Sequence, residues 1–178
     1  GTLVFIDVPD AKQSVIMIGK LVLTENDEDA SKLNFADEIL GGGSSGKLFQ
    51  TLRIEKGYTY GAYSGISKNE TISPFYISTS VRANATLPSL KIIEEMVTNY
   101  SNDFGPAEVE LTQNKLLKEN TRSYESLGAK LGILRDISKY NKSEDFIESQ
   151  QEELMNMTEK DFKSVITEYL NEKEMIYL

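Results

Sequence analysis

The chain predicts an α+β fold, with a mainly antiparallel sheet and helices packed on one face of it. Three observations carry that prediction. Pro74 to Arg82 alternates Phe75, Ile77, Thr79 and Val81 against Tyr76, Ser78, Ser80 and Arg82, the period-two pattern of a strand with one covered face. Strand-like sequence stands at both ends of the chain, in Thr2–Val8 and Glu174–Leu178. Between these strands, apolar residues recur at helical spacing before the hairpin and again after it. With 178 residues the order fits a single domain, 1–178, large enough to bury a core without disulfides.

Taken in order, Thr2–Val8 is β-branched and alternating until Pro9-Asp10 breaks it, and Ser14–Thr24 is a longer Val/Ile-rich strand. Glu25 to Asp29 places acid where a helix starts and the macrodipole favours it. Leu33, Ala36, Ile39 and Leu40 then form an apolar stripe that stops at Gly41-Gly42-Gly43. Serines reopen a helix with Leu48 and Leu52 facing inward, and Gly57 is its expected C-cap. Tyr58–Ser67 and Pro74–Arg82 read as an antiparallel hairpin joined through Lys68 to Thr71. After Pro88, one helical stripe runs through Leu90, Ile93, Met96, Val97 and Tyr100 to Gly105-Pro106. A second helix from Pro106 continues its stripe through Tyr124, Leu127, Leu131 and Leu134, with a bend expected at Ser123–Ser126. Thr158 and Asp161 form a capping box with Asp in the usual Glu/Gln place, opening a helix with Phe162, Val165, Ile166 and Tyr169 inward.

Composition excludes much chemistry. The net charge is −9, from 28 acidic and 19 basic residues, which disfavours nucleic acid as a partner. No apolar run approaches the roughly 20 residues of a membrane span. There is no Cys and no His, so a Ser-His-Asp triad, a Cys-His pair and an HExxH zinc site are all impossible within these residues. No metal site is expected, and any proton-transfer or metal centre must come from elsewhere. The start in strand-like sequence, without a leader pattern, suggests a mature fragment or a piece of a longer chain. A soluble bacterial protein of cytoplasm or periplasm is expected, with the compartment left open.

The most peculiar stretch is Leu40 to Gly61. Gly41-x4-Gly46-Lys47 approaches a phosphate-binding P-loop, but Leu48 stands where Ser or Thr would hold magnesium, and a helix precedes it instead of a strand. A helix–helix turn, with glycines at positive φ and serines capping the next helix, fits better. Arg53 and Tyr60 are the stronger pair. If the helix ends near Lys56 and the strand begins near Thr59, both reach one end of the sheet. A guanidinium offers fixed donors to peptide carbonyls, and a phenol can donate to an oxygen gaining charge. Equally, Arg near a helix C-terminus and Tyr at a strand start serve structure alone.

Leu40-Gly41-Gly42-Gly43, followed by Lys47-Leu48-Phe49-Gln50-x-Leu52-Arg53-x-x-Lys56-Gly57-x-x-Tyr60, resembles the glycine-loop and Arg…Tyr signature of the M16 (pitrilysin-like) zinc metallopeptidases. The likeness is to the C-terminal, zinc-free domain of bacterial processing-protease-like members, and it extends from Val8-Pro9 to the last strand. It departs where family members read Ser-Arg-Leu after the glycines and this chain has Gly46-Lys47-Leu48. The resemblance implies two homologous domains around a chamber, one with an HxxEH zinc site and the other with an Arg–Tyr pair that positions the peptide. Carried over, Arg53 and Tyr60 would bind substrate, Tyr60 would support the oxyanion, and Gly41, Gly42 and Gly43 would form the glycine loop. Zinc would sit in a homologous partner domain, in the same chain or a separate subunit, and this chain alone would have no activity. The alternatives are a structural or assembly module, as in core subunits of the respiratory bc1 complex, and a peptide-binding domain without proteolytic chemistry.

Overall fold

A computed structural model describes the backbone of residues 1–178 and the side chains of all but residues 119–123. Its sheet has five strands in the order β1-β5-β2-β4-β3. They are β1 (Thr2–Leu3), β2 (Gln13–Leu21), β3 (Thr59–Ile66), β4 (Pro74–Arg82) and β5 (Ile176–Tyr177). β4 pairs antiparallel with both β2 and β3, and β5 pairs antiparallel with β2, while β1 and β5 run parallel at one margin. The mainly antiparallel sheet is as expected, with that one parallel pair making it mixed.

Seven α-helices lie between the strands, α1 (Ala30–Gly41) and α2 (Lys47–Phe49) before β3, and α3 (Thr86–Asp103), α4 (Pro106–Ser123), α5 (Leu127–Tyr140), α6 (Phe146–Asn156) and α7 (Glu159–Tyr169) between β4 and β5. The core forms where Ile16, Ile18, Phe75, Ile77 and Val81 of the sheet meet Leu33 and Leu40 of α1, Ile93 and Val97 of α3, and Phe162 and Ile166 of α7. Each such burial contributes about 1.5–3 kcal/mol by area. The Tyr100 hydroxyl is also buried, and donates to the Ala36 carbonyl at 2.5 Å. Phe104 stacks on Phe162 with ring centroids 4.8 Å apart. At α7 the capping box is present, the Thr158 N–H donating to the Asp161 carboxylate at 2.8 Å.

Three expectations need correction. The first strand covers only Thr2–Leu3, because its partner β5 is itself two residues long; Phe5, Ile6 and Val8 are exposed and unpaired. The acid run does stand at a helix start, as expected: Asp29 is the N-cap residue of α1, which begins at Ala30 and has no acid within its first turn. The serines cap nothing: Gly43–Ser45 make a 3-10 turn, and Gly46 occupies the N-cap of α2 without a side-chain bond. The stripe read through Leu127, Leu131 and Leu134 faces solvent, Leu127 being 84% exposed. In place of a bend, the chain breaks and α5 restarts at Ser126, whose hydroxyl accepts from the Ala129 N–H at 3.1 Å. The new helix takes its own phase. Its inner side is held by charge instead, Lys68 lying 2.8 Å from Asp136 and 3.4 Å from Glu25.

Candidate functional site

The glycine loop is a packing device. At Gly41 a Cβ would fall 2.1 Å from the Ser64 backbone nitrogen, so only glycine lets the end of α1 lie against β3. Gly43 has φ +83°, where glycine carries no steric penalty. Lys115 reaches in from α4 to the Glu38 carboxylate and the Gly42 carbonyl, tying the loop to the helical layer. Lys47, the departure from the family pattern, ion-pairs with Glu108 at 3.2 Å and holds α2 to the α3–α4 corner. With α1 where a P-loop needs a strand, and both lysines engaged by carboxylates, the loop does not form a phosphate cradle.

Beyond α2 the helix widens. Gln50–Glu55 is π-helical, and the Lys56 N–H donates to the Thr51 carbonyl at 3.0 Å. Leu52 stays fully buried while Arg53, next to it, is only half-buried. Such π-turns are rare and concentrate at functional sites. Gly57 at φ +62° ends the segment and turns the chain into β3. The Arg53 guanidinium then lies over the Tyr60 ring, Cζ 5.1 Å from the centroid, and Nη1 donates to the Thr59 carbonyl at 3.4 Å. Tyr60 is 82% exposed, so this contact leaves its hydroxyl free to meet a ligand.

The aim of Tyr60 has its own support. Thr59 pairs with Val81 and Ala62 with Thr79, so β3 carries one extra residue at Tyr60–Gly61, a bulge that redirects the side chain. Two buried threonines hold that bulge. The Gly61 N–H donates to the Thr59 hydroxyl at 3.1 Å, and the Thr79 hydroxyl lies 2.9 Å from the Gly61 carbonyl it donates to. The Thr59 hydroxyl in turn donates to the Ser80 carbonyl at 2.7 Å.

A family profile described as the peptidase M16 inactive domain matches residues 1–116. The chain belongs to that family. Solved structures share its fold. The peptidase M16 inactive domain from Pseudomonas fluorescens superposes with a TM-score of 0.85 at 24% identity, over 94% of this chain and 40% of that one. A protease from Helicobacter pylori gives 0.82 at 17% identity, over 99% of this chain and 42% of the other. A chain of complex III2 from Candida albicans gives 0.79 at 12% identity, over 99% and 45%. This inactive domain therefore spans less than half the length of these three chains. No curated protein matches it by sequence.

The Arg53–Tyr60 constellation of this M16 inactive domain does not fit a metal. It offers a guanidinium and a phenol that act as hydrogen-bond donors, and no group of three or more His, Cys, Asp or Glu that could hold a metal ion occurs among the described residues. No helix among the described residues is long and apolar enough to cross a membrane.

Sequence reasoning singled out Arg53 and Tyr60, which lie in contact in the structure, but missed three other features. The Thr59–Thr79 clasp has no sequence signature, since it depends on a bulge. Arg82 lies over the Tyr58 ring at 6.0 Å beside the first pair, and the alternation of β4 placed it outward without naming a partner. Asp37 is buried between α1 and β3, accepting from the Ser64 hydroxyl at 2.5 Å. Burial pushes its carboxyl up to about 7, with Glu38 adding to the rise and the Ser64 hydrogen bond opposing it. Its position was legible: Leu33, Ala36, Asp37 and Leu40 share the buried stripe.

Proposed function

We propose that this chain is the zinc-free half of an M16-type metallopeptidase, one domain of a longer or two-subunit protein, which binds an extended peptide and supports its hydrolysis through Arg53 and Tyr60. The stacked, outward-facing pair carries the reading: a π-turn and a bulge, both locally costly, converge to present one guanidinium and one phenol at the same point. In this account Arg53 donates to a peptide carbonyl and fixes the Tyr60 ring. Tyr60 donates from its hydroxyl to the carbonyl oxygen as it gains negative charge. The zinc and the proton-transfer group belong to the homologous partner domain. The uncovered face of the sheet supports the same reading. Val15, Met17, Tyr63 and Tyr76 stand exposed on it, and an apolar surface of this kind suits a chamber wall or a docked domain.

Replacing Tyr60 with Phe removes one oxygen and keeps the ring under Arg53. In the enzyme assembled with its zinc half, kcat should fall about 100-fold at unchanged KM. Wild-type turnover in that variant rules out the oxyanion role. Arg53→Ala should act mainly on KM, and the chain by itself should hydrolyse nothing.

A second reading, a non-catalytic assembly module, is favoured by the same open apolar face and by the fold shared with a chain of complex III2 from Candida albicans. An HxxEH sequence elsewhere in the gene or in an adjacent frame supports the peptidase reading. Its absence supports the scaffold.

A further inference from the structure

The end of the sheet that carries Arg53 holds a second arginine–tyrosine pair. Arg82 closes β4, its N–H donates to the Tyr58 carbonyl at 3.2 Å, and its guanidinium lies 6.0 Å from the Tyr58 ring centroid. Tyr58 and Tyr60 flank Thr59, whose buried side chain points into the core, so the two rings and the two guanidinium groups share one corner of the molecule.

Charge is sorted around this corner. The chain has 28 acidic residues, yet none of the five strands contains an Asp or a Glu. Elsewhere several lysines have carboxylate partners, Lys47 with Glu108, Lys68 with Asp136, Lys115 with Glu38 and Lys163 with Glu159, while others such as Lys91 have none among the described residues. Among the described residues neither Arg53 nor Arg82 has one. Glu55 on the π-turn is exposed and forms no ion pair with either. Two guanidinium forks laid on aromatic faces, without competing carboxylates, form a receptor for one chemical group above others. Arg matches a carboxylate with two parallel donors, and stacking fixes the plane of the fork in advance.

We infer that Arg82, with Tyr58, is a specificity-determining residue that selects peptides carrying a carboxylate beside the segment held by Arg53 and Tyr60. This rests on the peptidase reading and narrows its substrate class. The overall charge of −9 repels acidic peptides at long range, so the preference is local to this corner. The carboxylate comes either from an Asp or Glu side chain or from the free C-terminus of the peptide.

The test uses the enzyme assembled with its zinc half and an otherwise neutral peptide series. One Glu is moved along the sequence, each member is matched by its Gln isostere, and each is made with a free and an amidated C-terminus. For the favoured carboxylate, kcat/KM should be about five-fold higher than for its neutral match, the range of a partly exposed ion pair. Dependence on Glu over Gln assigns the side chain; dependence on the free over the amidated end assigns the terminus. Arg82→Gln should bring the ratio to about one while changing the neutral peptide less than about two-fold, and Arg82→Lys should keep part of it. A ratio of one throughout in the unaltered enzyme, or a ratio that survives Arg82→Gln, overturns the inference and leaves the peptidase reading standing. Failure of that reading looks different: no peptide of the series is cleaved, which overturns both.

Discussion

The two faces of one sheet have opposite fates. Along β2, Ile16 and Ile18 are buried to 2% and 1% exposure on the face that meets α3, while Val15 and Met17, alternating with them, stand at 66% and 45%. The residues are equally apolar, and only the covering differs. Helices α1, α3 and α7 close the inner face into a core, and the outer face is left with apolar and serine side chains, Gln13 and Arg82 at one end, and no acid. Stability is therefore concentrated on one side, and the other side is available for a partner and a ligand. Arg53 and Tyr60 stand at the end of that open side.

The sharpest way to break this contrast is a matched pair of substitutions on adjacent strands. Phe75→Ala, on the covered face, should lower unfolding free energy by about 3–5 kcal/mol in denaturant titrations. Met17→Ser, on the open face, should change it by less than about 0.5 kcal/mol in the isolated chain. Comparable losses at the two positions would mean that the open face is covered in the isolated protein, and the contrast would fail.

Gly41→Ala examines the seam behind the site. With its Cβ set against the Ser64 backbone at 2.1 Å, α1 and β3 must separate. A loss of about 3 kcal/mol is expected, at the upper end of overpacking costs. A stability within experimental error of the parent would show that the seam can relax.

Asp37 gives the covered face a pH dependence. Its folded pKa of about 7 lies above the usual 3.8, so the folded state holds a proton that the unfolded state releases. The stabilising contribution of the protonated form is complete below about pH 4 and is lost as pH rises through 7. Asp37→Asn removes the titration. It should raise stability at pH 8 by on the order of 2–3 kcal/mol and flatten the fall between about pH 4 and 7. A variant whose pH profile parallels the parent would place the carboxyl in contact with water.

The smallest expected effect belongs to the clasp behind Tyr60. Thr79→Val keeps the shape and removes the hydroxyl that donates toward Gly61, so stability should drop by about 1–2 kcal/mol. The consequence of interest is kinetic: a bulge no longer pinned should lower kcat in the assembled enzyme more than the isolated chain loses stability.

The amino-acid pattern made one half of this legible and not the other, for a physical reason. Alternation in Phe75–Val81 and the 3.6 spacing of Leu33, Ala36 and Leu40 report burial directly, and those residues are in the core. That Arg53 and Tyr60 lie together was legible because a helix end, a glycine and a strand start leave little freedom in where they point, while a role for them rested on the family resemblance. Leu127, Leu131 and Leu134 misled, because apolar spacing cannot tell a continuing helix from a new one with another phase. The π-turn and the bulge were unreadable for a related reason. Each inserts a residue without changing composition, and the bulge is held by a partner distant in sequence, Thr79 bonding to Gly61.

The central claim is that Arg53 and Tyr60 act as one unit on a bound peptide, and a double-mutant cycle on kcat/KM in the assembled enzyme tests it most directly. Because the guanidinium rests on the phenol ring, the combined loss in Arg53→Ala/Tyr60→Phe should fall short of the sum of the single losses by about 0.5–3 kcal/mol. Losses that add to within about 0.5 kcal/mol would contradict it, showing two side chains that touch in the structure and act apart.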